Sequence, residues 1–274
     1  IGRSIALRGM LYLASLYAAL RIFDSVAPGV LLVALSWAIL LLFHDVKGVE
    51  NRLKEGSRTT VATVWQLSSR CLPLGVVTFL VSLNANIPTY VIKNYLDIEQ
   101  LGVFSAIVYF AIAGQFVTGA LAQAAAPRLA LYYSRSELGN FKLLQIKLMA
   151  IGAGMALAGV LFVTFLGGQL LGLFYGSEYA AHVDVFFWIM ISAGIGYAAI
   201  FLGTGLTVTR RFREMLFLNL FSVATTFILS MALVPRYGLT GAGWALAASA
   251  LLKLVINLMI NYMTIYSKPG NPVS

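Results

Sequence analysis

The chain has 274 residues, of which 60% are hydrophobic and only 11% charged. Soluble domains carry about 25% charged residues, so this composition excludes an ordinary water-soluble globular fold. The formal net charge of +9 sits in short segments between apolar runs, a distribution that speaks for membrane topology and against nucleic acid as a partner.

Residues 25–43, 71–92, 100–127, 148–177, 185–209 and 215–235 contain no Asp, Glu, Lys or Arg. Each run is near or above the ~18–20 residues that cross a hydrocarbon core as a helix. Two-residue alternation is absent, and backbone facing lipid must satisfy its own hydrogen bonds. These features predict an all-α, polytopic membrane protein of about eight transmembrane helices. The helices are expected at roughly 4–23, 27–44, 69–92, 100–126, 144–168, 184–207, 214–234 and 240–263.

In the first predicted helix, Arg8 and Arg21 lie near the ends, where snorkelling accounts for them as well as a binding role does. The chain opens on Ile1 with almost no leader and no signal-peptide layout, and the expectation is that an N-terminal part is missing. The polar interval 44–70 mixes charges with Val61, Val64, Trp65 and Leu67 at near-helical spacing. It predicts an amphipathic cytoplasmic connector at the membrane interface. The expected domains are therefore 1–44, the last two helices of an incomplete bundle; 45–68, the connector; and 69–274, a six-helix bundle.

The helix after the connector carries Arg70, Thr78, Ser82 and Asn86 at multiples of four residues. Arg70 stands at its cytoplasmic edge, where its planar fork suits either a phosphate or an interfacial anchor. Pro88 is expected to kink or end this helix. The following helix offers Tyr109, Gln115 and Gln123, then Pro127 and Arg128; aromatic and amide groups can stack on and bond sugars, and equally glue helices together. Gly152, Gly154 and Gly159 lie in an apolar run without the strand that a dinucleotide fingerprint requires, so close helix packing is their expected role.

The last helix contains Lys253 near its centre. A charge there costs roughly 2.5–3.5 kcal/mol on insertion scales and usually faces a bundle interior or an aqueous cavity. Ser249, Asn257 and Asn261 lie at four-residue steps from it and make one polar stripe. The stripe predicts a water-filled cavity; the competing reading is a structural lysine bonded to neighbouring carbonyls. No buried carboxylate is expected within the membrane: Asp24, Asp97, Glu99, Glu178 and Asp184 sit in outer loops or at their edges. A cationic cavity favours an anionic passenger.

Basic clusters at Lys47–Arg58, Arg128–Lys147 and Arg210–Arg213 alternate with loops whose only basic residues are Lys93 and Arg236. By the positive-inside rule both chain ends are cytoplasmic. Cys71 is the single cysteine, and His44 and His182 lack metal-ligand spacing, so no metal or other cofactor is expected.

The stretches at 71–110 (CLPLGVVTFLVSLNANIPTYVIKNYLDIEQLGVFSAIVYF), 120–134 (ALAQAAAPRLALYYS), 171–190 (LGLFYGSEYAAHVDVFFWIM) and 233–254 (LVPRYGLTGAGWALAASALLKL) together resemble the polysaccharide-export flippases of the multidrug/oligosaccharidyl-lipid/polysaccharide exporter superfamily. These handle O-antigen, capsular and exopolysaccharide repeat units. The resemblance implies two six-helix bundles related by pseudo-symmetry, of which this chain holds the end of the first and all of the second. It implies residence in a bacterial inner membrane, contact with membrane lipids, and no enzymatic step. The implied cargo is an undecaprenyl-diphosphate-linked oligosaccharide, moved by alternating access with an unidentified coupling ion. The 274-residue chain alone is not expected to transport. Sites expected to bind the cargo are Lys253, Arg70, Ser249, Asn257, Asn86, Ser82, Tyr109, Gln115 and Arg128. Rival readings are a multidrug exporter or peptidoglycan-precursor flippase of the same superfamily, and a membrane glycan polymerase or ligase. The last commonly needs a large outer loop with catalytic charges.

Overall fold

The computed structural model describes residues 61–263. The predicted helices 4–23 and 27–44, and connector residues 45–60, lie outside the described residues. Six helices follow in order: α1 (Val61–Tyr95), α2 (Ile98–Ser134), α3 (Leu138–Tyr175), the short α4 (Ser177–Ala180), α5 (Val183–Val208) and α6 (Phe212–Asn261). Among the described residues there is no strand. Five helical spans, in α1, α2, α3, α5 and α6, are long and apolar enough to cross a bilayer, so the chain is a multi-pass membrane protein.

The helices outrun their apolar segments. The predicted end at 126 is wrong: α2 passes through Pro127 and stops at Ser134. A proline removes one backbone donor, and in a membrane helix neighbouring groups absorb that loss. The outer interval between the spans predicted at 144–168 and 184–207 is largely helical, because α3 continues to Tyr175 and α4 follows at once. What stops α3 is Gly176, whose φ of 103° suits a residue without Cβ.

On the side of the basic clusters, α2 joins α3 and α5 joins α6 through matching turns. In one, Glu137 N–H donates to Tyr132 O at 2.9 Å; in the other, Arg211 N–H donates to Leu206 O at 2.9 Å. Ser136 and Arg210 take the left-handed position, with φ of 59° and 57°. This is the Schellman arrangement, which satisfies the last helix carbonyls.

α6 is one helix only nominally. Lys253 Nζ donates to Asn219 Oδ1 at 3.1 Å, although 34 residues of straight helix would separate them by about 50 Å. The chain must therefore fold back between them. It does so at Gly238, whose φ of 60° and ψ of −140° leave the helical region. Here glycine is required twice: a Cβ at Gly241 would run into the Leu233 carbonyl. The two arms match the spans predicted at 214–234 and 240–263.

Two apolar cores hold the bundle, one toward each end. Toward the α6 bend, Ile87, Ile92, Phe104, Ile107, Leu171, Phe186 and Val234 pack together. Toward the basic turns, Leu129, Phe141, Leu148, Phe201, Leu206 and Leu218 do the same. α5 packs against α2, α3 and α6. Small residues bring it close to α3: a Cβ on Gly194 would collide with that of Ala156, and one on Gly152 would crowd Tyr197 O at 3.1 Å. Gly159 lies against Met190 in the same seam, whereas Gly154 faces open space.

Candidate functional site

The stripe on the second arm of α6 divides into two environments. Asn257 and Asn261 are buried in a network of amides. Gln145 of α3 donates through Nε2 to Phe201 O at 3.1 Å and to Asn261 Oδ1 at 3.4 Å. Asn261 Nδ2 donates to Asn257 O and Oδ1, each at 2.9 Å. Asn257 Nδ2 reaches Ala199 O at 3.4 Å. Three helices are thus tied by neutral groups whose donors and acceptors face one another. Ser249 is buried as well and its hydroxyl returns to Leu246 O at 3.0 Å, a local bond that engages no other helix.

Lys253 is different. It is only partly buried, and its partner Asn219 is a neutral amide on the other arm. Among the described residues no carboxylate pairs with it. Asn219 begins a second stripe along the first arm: Asn219, Ser222, Thr226 and Ser230 are all buried, at steps of three and four residues that place them on one face. Ser222 Oγ donates to Asn84 Oδ1 of α1 at 3.4 Å. Among the described residues, Thr226 Oγ1 and Ser230 Oγ have no partner. A hydroxyl in a helix commonly bonds back to the preceding turn, as Thr225 does to Phe221 O at 3.0 Å. These two do not, so the polar line leading away from Lys253 retains unused hydrogen-bonding capacity.

Of the other residues singled out in the sequence, Thr78, Ser82 and Asn86 are exposed on α1. Asn86 Nδ2 bonds back to Ser82 O at 2.8 Å. It is Asn84, between them in sequence, that faces α6. Arg70 is placed on α1 by its backbone alone. Tyr109, Gln115, Gln123 and Arg128 are exposed on α2. The structure therefore brings Ser249, Lys253, Asn257 and Asn261 onto one inward face. It does not bring Ser82, Asn86, Tyr109, Gln115 or Arg128 to Lys253.

Sequence reasoning missed Asn219, Gln145 and Tyr197. Asn219 is the only amide in the charge-free run 215–235, which was a usable signal. Gln145 stands between Lys142 and Lys147 and reads as interfacial. Tyr197 looks like one more aromatic in an apolar span, yet its hydroxyl donates to Ala111 O at 2.6 Å. Gly114 leaves the room for it, since a Cβ there would overlap the ring. Among the described residues there is no group of three or more His, Cys, Asp or Glu side chains that could hold a metal ion.

This arrangement of helices has a counterpart among solved structures. An outward-facing multidrug resistance transporter of the MATE family, in the MOP superfamily, superposes with a TM-score of 0.71 at 13% identity, over 96% of this chain and 62% of that one. The fold is similar to that of a MATE-family transporter. In sequence, the capsular polysaccharide biosynthesis protein CapF of Staphylococcus aureus is 30% identical over 186 residues, 67% of this chain and 46% of that protein. The chain thus spans less than half the length of that curated relative. No family model matches it.

Proposed function

We propose that the chain belongs to a transporter that moves lipid-linked oligosaccharides across a bacterial inner membrane, a flippase acting in surface-polysaccharide assembly. The observation that carries this reading is Lys253: a cation within a membrane span, bonded to a neutral amide and left uncompensated among the described residues. Such a group is costly in hydrocarbon and marks a path for charge. A diphosphate head group supplies the missing negative charge when it arrives and takes it away when it leaves. A permanent carboxylate partner would compete with that exchange.

The MATE-like fold and the similarity to a capsule biosynthesis protein support the reading from two directions. Alternating access by rocking of helical bundles is the mechanism such folds permit. Exposed Ser82, Asn86, Tyr109 and Gln115 offer hydroxyl, amide and aromatic surfaces to sugars, and Arg70 and Arg128 offer positive charge at the cytoplasmic edge. Membrane lipids and a coupling ion are the remaining partners; none of these groups needs to make or break a covalent bond. The rival reading is a multidrug exporter, since the solved structural neighbour is a multidrug resistance transporter.

The test replaces Lys253 by Ala, Glu and Arg and follows surface polysaccharide in a strain without its own flippase, with membrane expression checked. Glu and Ala are expected to reduce export by at least about tenfold, the effect of ~1.4 kcal/mol in the rate-limiting barrier, while Arg preserves it. Unchanged export in all three variants would remove Lys253 from the mechanism. Drug efflux that survives Lys253→Glu, with no polysaccharide exported by the parent protein, would favour the multidrug reading.

A further inference from the structure

A groove of about 290 Å³ runs between α1 and the first arm of α6, lined by Leu83, Ile87, Tyr90, Val91, Val223 and Phe227. Its α1 wall repeats at steps of three and four residues, so it is one helix face. The wall from Leu83 to Val91 extends about 12 Å along the span. Every lining side chain is aliphatic or aromatic. Tyr90 and Phe227 are 64% and 49% exposed, so the groove is open along its side rather than sealed.

The groove has a polar end. Asn84 follows Leu83 and Ser222 precedes Val223, and these two polar side chains meet at 3.4 Å. One turn before Val223 lies Asn219, which holds Lys253 Nζ at 3.1 Å. Cation, amide and hydroxyl therefore give way to a hydrocarbon slot within about two turns of one helix.

We infer that this groove binds the polyisoprenyl tail of the lipid-linked cargo while the diphosphate sits at Lys253. The inference rests on the flippase reading above and adds the place of the tail. Charge complementarity selects this occupant over bulk phospholipid. A phospholipid keeps its head group at the interface, whereas a tail seated here, with its head on Lys253, belongs to a molecule whose anionic group has been drawn into the span. The polar end lies toward the basic turns and the groove leads away from them, which is the orientation of a lipid arriving from the cytoplasmic leaflet. The volume holds about ten groups of the size of a water molecule, or roughly the first two isoprene units next to the diphosphate. The rest of the tail leaves sideways past Tyr90 and Phe227 into the bilayer.

The experiment uses the protein in lipid nanodiscs and a polyprenyl diphosphate bearing a photoreactive diazirine in its second isoprene unit. Mass spectrometry locates the labelled residues. Labelling at Tyr90 and Phe227 is expected, competed by unlabelled polyprenyl diphosphate and not by phosphatidylglycerol. Val223→Trp, which fills the groove, is expected to lower it at least about tenfold, and Phe162→Trp on an exposed face of α3 is expected to leave it unchanged. Size-exclusion profiles check that both variants fold, and the competition in the wild-type protein stands without them. Equal competition by phosphatidylglycerol would overturn the inference, since the groove would then hold any bilayer lipid. Labelling that depends on Lys253 but falls outside the groove would overturn it while leaving the flippase reading intact. No saturable labelling anywhere would remove both.

Discussion

The two ends of one helical stripe behave differently. Asn257 and Asn261 are absorbed into a closed network with Gln145, while Lys253, one turn earlier, meets a single neutral amide. Sequence spacing treats all three residues alike. The difference lies in the facing helices: Gln145 and the Ala199 and Phe201 carbonyls stand opposite the asparagines, whereas Lys253 faces Asn219, the first residue of a polar line whose far members Thr226 and Ser230 have no partner among the described residues. Polar residues in a membrane span are thus glue where their partners are complete, and a candidate for ligand work where they are not.

The closed end gives the largest expected change in stability. Gln145→Leu leaves buried Phe201 O and Asn261 Oδ1 without this donor, at an expected cost of about 2 kcal/mol. Thermal unfolding of the purified protein in detergent reads this as a lowered midpoint. A variant as stable as the parent would mean that the network is not the clamp it looks like.

Lys253→Met separates the two ends further. Removing a costly intramembrane charge is expected to leave stability unchanged or raise it by about 1 kcal/mol, even as polysaccharide export is lost. A strong loss of stability would make Lys253 structural, like its asparagine neighbours. The smallest effect is expected at the unpartnered hydroxyls. Thr226→Val keeps the shape of the side chain and removes a buried group without a partner, so the same unfolding assay should show a gain of less than about 1 kcal/mol. A loss instead would show that the hydroxyl is bonded in the folded protein.

Much of the bundle was legible in the sequence because charge-free runs of span length have one solution in a bilayer. Helix ends were not, since α2 and α3 continue through Pro127 and through polar interfacial residues that lower hydropathy without breaking a helix. The bend at Gly238 showed itself as a break between two apolar runs. The partner of Lys253 did not, because a contact across 34 residues has no local periodicity. Asn84 was passed over because it lies off the four-residue stripe of Thr78, Ser82 and Asn86. Asn257 and Asn261 were placed correctly on one face with Lys253, but spacing alone said nothing of whether amides or water would stand opposite.

The single-residue bend of α6 also bears on biogenesis. Its two arms are joined closely enough to be expected to insert as a hairpin, with Asn219 within reach of Lys253 as the pair enters the membrane. The lysine then need not enter lipid alone, and part of the ~2.5–3.5 kcal/mol insertion cost of an isolated charge is offset before the other helices assemble. In an insertion assay with glycosylation tags, the second arm is expected to integrate more efficiently with the first arm present, and Asn219→Leu to erase the advantage. The glycines at 238 and 241 would then serve the making of the protein as much as its finished form.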